Sequence, residues 1–129
     1  MNLLLDTHVF IWVVAEPNRL DRLIRAAVAS PENQVVVSAV TPWEIAIKRA
    51  LGRLEFPLDL FDDTVTRMGC DILPILPAHG ILAGSLPRHH DDPFDRMLIA
   101  QALTEELVLV TRDEAILRYN VPVFGAPAA

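Results

Sequence analysis

Four acidic side chains occupy positions from which carboxylates of an α/β protein could act together. Each follows a predicted strand or lies in the first turn of a predicted helix, and they are Asp6, Glu44, Asp95 and Asp113. Carboxylates about 5 Å apart at an effective dielectric constant near 20 repel by roughly 3 kcal/mol per pair. Such a cluster therefore requires a cation. Because no cysteines or histidines cluster with them, these oxygen ligands favour Mg²⁺ or Mn²⁺ over zinc or copper.

The elements that would position these side chains alternate along the chain. Five short apolar runs are typical of strands: Asn2–Leu5, Gln34–Val37, Asp71–Leu73, Leu107–Val110 and Val121–Phe124. Helical periodicity is found around residues 20–28, 42–51, 58–68 and 78–85, and again from residue 97 onward. Apolar strands separated by helices predict an α/β fold with a mainly parallel central sheet of about five strands and helices on both faces. In open sheets of this kind ligands collect at the carboxyl ends of the strands.

Helix capping offers a structural explanation for most of these carboxylates. The segment Thr41-Pro42-Trp43-Glu44 fits a capping box, and local evidence alone favours that reading over a metal ligand. Asp92 fits the N-cap position of the helix that begins at Pro93, and Asp113 could cap a short helix over Glu114–Arg118. Asp6 has the weakest capping explanation, because it directly follows a buried strand where a carboxylate needs a partner.

Composition limits the class of protein. The chain has 129 residues, which predicts a single domain over residues 1–129, and its net charge of −6 excludes nucleic-acid binding by bulk positive charge alone. The single cysteine, Cys70, excludes an intramolecular disulfide and a cysteine-based zinc site. The apolar run Val9–Ala15 is shorter than the roughly 20 residues of a membrane span, and Asp6 and His8 interrupt any signal peptide. We therefore expect a soluble cytoplasmic protein.

Several stretches together resemble the PIN-domain proteins, and within them the VapC-type ribonuclease toxins of bacterial toxin–antitoxin pairs. The matching stretches are Leu4-Leu5-Asp6-Thr7-His8, Val37-Ser38-Ala39, Trp43-Glu44-Ile45-Ala46-Ile47-Lys48, Asp92-Pro93-Phe94-Asp95-Arg96-Met97-Leu98-Ile99-Ala100-Gln101-Ala102 and Val110-Thr111-Arg112-Asp113. The stretch that begins at Asp92 is the most specific of them. The resemblance spans nearly the whole chain.

The resemblance implies a PIN-like single domain with a Mg²⁺ or Mn²⁺ site and endoribonuclease activity that a cognate antitoxin inhibits. It also implies a homodimer and an antitoxin groove on the helical segment between Thr41 and Gly69. Hydrolysis by an external water would leave 5′-phosphate and 3′-hydroxyl ends. Carried over residue by residue, the catalytic and metal-binding positions are Asp6, Glu44, Asp95 and Asp113. Supporting positions are Ser38, Asp92 and Thr111, and RNA contacts are expected from Lys48, Arg96 and Arg112.

Some positions depart from the family or stay open. His8 stands where the family often has serine, and Arg112 stands where it often has asparagine, which affects substrate contacts only. Arg96 could instead pair with the neighbouring Asp95. His90 is predicted to be a loop residue with, at most, a contact to substrate, and Trp12 is predicted to be a packing residue, as is Trp43.

Other classes of protein fit the residues less well. A receiver domain needs a lysine late in the sheet, and the only lysine is Lys48. A phosphatase-like domain needs an aspartate at the position of His8. The alternative that remains is a catalytically inactive PIN-like module that binds RNA or protein. Because all four acidic positions are filled, we favour the nuclease.

Overall fold

The computed structural model describes residues 1–125 and contains one five-stranded parallel sheet. The strands are β1 (Asn2–Leu5), β2 (Gln34–Ser38), β3 (Asp71–Leu73), β4 (Val108–Val110) and β5 (Val123–Phe124), in the spatial order β3-β2-β1-β4-β5. Every pairing is parallel. All five predicted strands are confirmed, with ends that differ by at most two residues from the predicted ones. The predicted fold class is therefore confirmed.

In the described part of the chain, residues 1–125, six α-helices surround the sheet. They are α1 (Thr7–Ala15), α2 (Arg22–Ala29), α3 (Val40–Ala50), α4 (Phe61–Arg67), α5 (Pro77–Ser85) and α6 (Pro93–Thr104), with 3₁₀ helices at Pro17–Arg19 and Glu114–Arg118. Helix α1 is not evident from periodicity, because its sequence is apolar on nearly every side. Gly52 and Gly69 adopt positive φ just after α3 and α4, the conformation in which glycine commonly ends a helix. No helix within residues 1–125 is long and apolar enough to cross a membrane.

The sheet separates two apolar clusters, one on each face. Leu3 and Leu5 of β1 join the cluster that includes Phe10 of α1, whereas Leu4 joins the cluster built around Leu98 of α6. Alternate residues of a strand point to opposite faces, so β1 contributes to both clusters. This confirms that helices cover both faces of the sheet.

Some large apolar side chains lie on the surface. Trp43 is 56% exposed and Leu23 is 74% exposed. The prediction that Trp43 packs in the core is therefore wrong. Its indole contacts the Phe94 ring edge-on, with ring centroids 5.1 Å apart, and this contact covers only part of the ring.

Candidate active site

The carboxyl ends of three neighbouring strands meet at one edge of the sheet. Leu5 of β1 lies in register with Val37 of β2 and with Val110 of β4. Asp6 and Thr111 follow β1 and β4 directly, and Ser38 ends β2. The Thr111 hydroxyl donates a hydrogen bond to Oδ2 of Asp6, which joins two of these strand ends through side chains.

Asp6 is buried, and its two carboxylate oxygens accept different hydrogen bonds. It is 3% exposed; Oδ2 accepts from Thr111, and Oδ1 accepts from the backbone N–H of Val9 at 3.1 Å. Asp6 therefore caps α1, contrary to the expectation that capping explained it least. Burial raises the pKa of Asp6, and the hydrogen bonds from Thr111 and Val9 oppose that rise.

Asp95 lies in the first turn of α6, within the electrostatic field of the other acids. Its side chain is 15% exposed, and Oδ2 is 3.2 Å from Nε2 of His90. Burial and the nearby charge of Asp92 raise the pKa of Asp95 to about 7, and the charges of Asp6 and Asp113 add to that rise. Asp6, Asp95 and Asp113 thus share one electrostatic environment.

Glu44 lies on the inner face of α3, where it is 2% exposed. The Lys48 ammonium donates to Oε2, while Oε1 is buried and has no hydrogen-bond partner. The predicted capping box is wrong, because α3 begins at Val40 and the Val40 N–H donates to Oγ of Ser38 at 3.0 Å. A buried carboxylate oxygen without a partner is costly, so a donor or a cation at Oε1 of Glu44 would stabilise the folded protein.

Asp113 and Arg112 lie at the open side of this region. Asp113 accepts from the backbone N–H of Ala115 at 2.9 Å, which confirms that it caps the 3₁₀ helix. Both residues line a cavity of about 190 Å³ together with Asp6, and Arg112 donates to Asp21 at 2.8 Å. The cavity brings together two of the predicted acids and one predicted RNA contact.

Two of the predicted supporting residues organise helix starts. Asp92 accepts from the backbone N–H groups of Phe94 and Asp95 at 2.9 and 3.0 Å, which confirms the predicted N-cap. Ser38 accepts from Val40 and donates to the buried Gln101 side chain. Ser38 therefore fixes the start of the helix that carries Glu44.

Arg96 does not face the cavity, and its predicted contact with RNA is not supported. It is 7% exposed, and its guanidinium donates to the carbonyl oxygens of Ala83, Leu86 and Pro87. No ion pair with Asp95 forms. With its donors satisfied by backbone carbonyls, Arg96 holds the loop before α6 in place.

His90, which is predicted to be a loop residue, contacts the carboxylate of Asp95. His90 bridges Asp95 and the hydroxyl of Tyr119, with Nδ1 2.8 Å from that oxygen. Tyr119 also accepts from Arg96 at 3.1 Å. His90 comes five residues before Asp95 and Tyr119 lies far beyond it, so no local pattern could have linked them.

Comparison with known proteins decides the family. The PIN domain family model matches residues 3–122. The chain belongs to the PIN-domain family. It is 28% identical over 126 residues to Ribonuclease VapC22 of Mycobacterium tuberculosis, and the match covers 92% of each chain.

Solved structures share the fold of this PIN domain. VapBC2 from Rickettsia felis, bound to a DNA fragment from its promoter, has a TM-score of 0.70 at 12% identity, over 96% of this chain and 98% of that one. FitAcB from Neisseria gonorrhoeae has a TM-score of 0.60 at 20% identity, over 95% and 96%. VapBC-5 from M. tuberculosis has a TM-score of 0.57 at 17% identity, over 98% of both chains.

The carboxylate oxygens of the four acids are the kind of ligand that a hard divalent cation prefers. In this structure, however, these carboxylates form hydrogen bonds with other groups of the protein. Within residues 1–125, no three His, Cys, Asp or Glu side chains stand close enough to hold one ion in their present conformations. The four acids instead bond to Thr111, Lys48, His90 and Ala115. The unpartnered Oε1 of Glu44 and the mutual repulsion felt by Asp95 are the features that a cation would relieve.

The raised pKa of Asp95 predicts an unusual pH dependence of stability. The folded protein holds the Asp95 proton with a pKa of about 7 instead of the ordinary 3.8, so the stability from the protonated form is present at low pH and lost as pH rises through 7. In EDTA, the free energy of unfolding should fall by about 2 kcal/mol more between pH 5.5 and 8 in the wild type than in Asp95→Asn. Urea titrations at the two pH values measure this. Equal pH dependence of stability in the two proteins would show that the pKa of Asp95 is not raised in the folded state.

Proposed function

We propose that this PIN domain is a metal-dependent endoribonuclease of the VapC type, the toxin of a toxin–antitoxin pair. It would hydrolyse RNA to 5′-phosphate and 3′-hydroxyl ends. Support comes from the family match and from the likeness to a ribonuclease over nearly the whole chain. The observation that carries the proposal is the shared field of Asp6, Asp95 and Asp113 at the sheet edge, next to the helix that bears Glu44 and its unpartnered buried oxygen.

Asp6, Glu44, Asp95 and Asp113 would hold the metal ion. A bound Mg²⁺ or Mn²⁺ supplies acidification of a water molecule and neutralisation of charge on phosphoryl oxygens. Protein groups orient the carboxylates: the Thr111 hydroxyl and the start of α1 fix Asp6, and His90 fixes one oxygen of Asp95. Such outer partners restrict ligand orientation and thereby tune metal affinity.

The three predicted RNA contacts now have different roles. Arg112 remains a proposed RNA contact because it lines the same cavity as Asp6 and Asp113. Lys48 is assigned instead to balancing the charge of Glu44, with its outer side open to a phosphate. Arg96 is not a proposed RNA contact, because backbone carbonyls and the Tyr119 hydroxyl occupy its donors.

A protein antitoxin, a homodimer and a cytoplasmic location complete the proposal. The similar solved structures named VapBC and FitAcB support a protein partner. Exposed apolar side chains on α3 and in the segment that joins it to α4, among them Trp43, Leu51 and Leu60, offer it a surface. An antitoxin arginine placed among the carboxylates would compete with metal. Light scattering at micromolar concentration would count subunits, and a clean monomer would contradict the dimer.

Analysis of product ends tests the reaction. A single-stranded RNA of mixed sequence, incubated with the full chain and Mn²⁺, should be cut into fragments with 5′-phosphate and 3′-hydroxyl ends, and EDTA should stop the reaction. Cyclic phosphate ends, or cutting that persists in EDTA, would contradict metal-assisted hydrolysis. Binding of RNA with no cutting in Mn²⁺ would instead favour the inactive module.

A further inference from the structure

A second cavity adjoins the carboxylate cavity. It has a volume of about 430 Å³, and His8 and Trp12 line both cavities. Its other walls include Glu16, Arg19, Lys48 and Arg53. Because they share two lining residues, the cavities are neighbours, and together they are named the Trp12 groove, which runs from Asp6 and Asp113 along α1.

The floor of the Trp12 groove is aromatic. His8 and Trp12 are four residues apart on α1, so they lie on the same helix face, with ring centroids 6.1 Å apart. The Arg19 guanidinium lies 5.0 Å from the centre of the Trp12 ring. Trp12 is only partly buried, so the prediction that it serves packing is incomplete.

The walls of the groove carry positive charge in a protein that is acidic overall. Arg19, Lys48 and Arg53 face one acid, Glu16, which bonds to Arg19 at 3.3 Å. Lys48 pairs with Glu44, whereas Arg53 is exposed and forms no ion pair within residues 1–125. Local cations of this kind can attract a polyanion despite an unfavourable net charge.

We propose that the Trp12 groove binds the single-stranded segment of RNA next to the scissile phosphate. One base stacks against Trp12, and the flanking phosphates contact Arg53 and Arg19. The inference rests on the proposed function, since it extends the same site. A ligand that fills the groove meets carboxylates at one end, where a divalent cation would have to lie between them and a negatively charged ligand. At the other end it meets positively charged side chains and an aromatic floor. A nucleotide chain offers phosphates to the cation at the first end and to the arginines at the second, and its bases can stack on the Trp12 ring. Stacking on an aromatic side chain accepts any base.

Fluorescence and kinetics test the assignment together. In Asp95→Asn/Trp43→Phe, Trp12 is the sole tryptophan, and a 12-nucleotide single-stranded RNA of mixed sequence should quench it saturably. In proteins with Asp95 intact, Trp12→Ala should raise KM for that RNA about 10-fold and change kcat less than about 2-fold, while Trp12→Phe should retain most binding.

Arg53→Ala should reduce the slope of log affinity against log salt by about 0.7, unlike Arg67→Ala, which removes an exposed cation of α4 outside both cavities.

The outcomes separate this inference from the proposed function. Cleavage with a wild-type KM in Trp12→Ala would overturn the groove assignment and leave the nuclease intact. Saturable quenching of Trp12 by RNA, together with a wild type that does not cut that RNA in Mn²⁺, would support the groove and reject the nuclease. RNA binding without any change in Trp12 fluorescence would overturn the assignment, as would quenching only by a partner peptide.

Discussion

Replacement of Asp95 by Asn should abolish RNA cleavage, lowering kcat/KM by about 1,000-fold, without weakening the fold. Asn would remove a proposed metal ligand, but it also removes a carboxylate whose pKa is raised by burial and by the charges of Asp92, Asp6 and Asp113. In EDTA at pH 8 the variant should therefore be as stable as the wild type or more stable. Cleavage assays in Mn²⁺ and urea unfolding in EDTA measure the two effects.

Asp63→Asn is the matched control for this prediction. Asp63 lies in the first turn of α4, as Asp95 lies in the first turn of α6, but it is exposed. The control should keep full activity and lose a few tenths of a kcal/mol at most, through the helix dipole. If Asp95→Asn cuts RNA normally and is less stable by about 1 kcal/mol, Asp95 is a dipole-matching residue and the proposed site is wrong.

Lys48→Met should destabilise the protein by about 3 kcal/mol, although Lys48 is partly exposed. The reason is Glu44, which is buried and has one oxygen without a partner even when Lys48 is present. Removal of Lys48 leaves that carboxylate as an unpaired buried charge. Unfolding by urea in EDTA measures the loss, and added Mn²⁺ should restore part of it, because a ligand that binds only the folded state stabilises it.

A double-mutant cycle shows whether the loss arises from Glu44. Glu44→Gln/Lys48→Met should be more stable than Lys48→Met alone, because the buried charge is gone. Arg49→Met, which changes the neighbouring exposed cation on α3, should cost less than about 0.5 kcal/mol. Additive effects of the Glu44 and Lys48 substitutions would contradict the coupling that the structure shows.

Local sequence patterns predicted the sheet well and some capping roles less well. Strands that are apolar on both sides are distinct from the surrounding amphipathic helices, so all five were predictable from the chain. The start of α3 was not, because the Ser38 hydroxyl, at the end of β2, accepts from the Val40 N–H, so the helix begins two residues before the predicted start and Glu44 lies beyond its first turn. Asp6 is the residue for which the sequence offers the weakest capping explanation, yet the chain turns directly from β1 into α1, so the residue that follows the strand is also the N-cap.

Long-range contacts account for the remaining differences. Arg96 follows an acid of the site in sequence, but α6 turns its side chain toward the carbonyl oxygens of the α5–α6 connection. His90 contacts Asp95 through Nε2 while the hydroxyl of Tyr119, which is distant in sequence, contacts its second ring nitrogen, Nδ1. Trp12 lines a groove because residues that are distant in sequence, among them Arg53 and Asp113, form its other walls. None of these contacts leaves a local pattern in the sequence.

Calorimetric titration with Mn²⁺ at pH 8 tests the central claim most directly, that the four acids hold a divalent cation. The wild type should bind saturably, and Asp6→Asn, Glu44→Gln, Asp95→Asn and Asp113→Asn should each bind at least about 10-fold more weakly. Asn is a good N-cap, so the helix starts at Asp6 and Asp113 survive these substitutions. A wild type that binds no Mn²⁺, or variants that all bind it with unchanged affinity, would contradict the account.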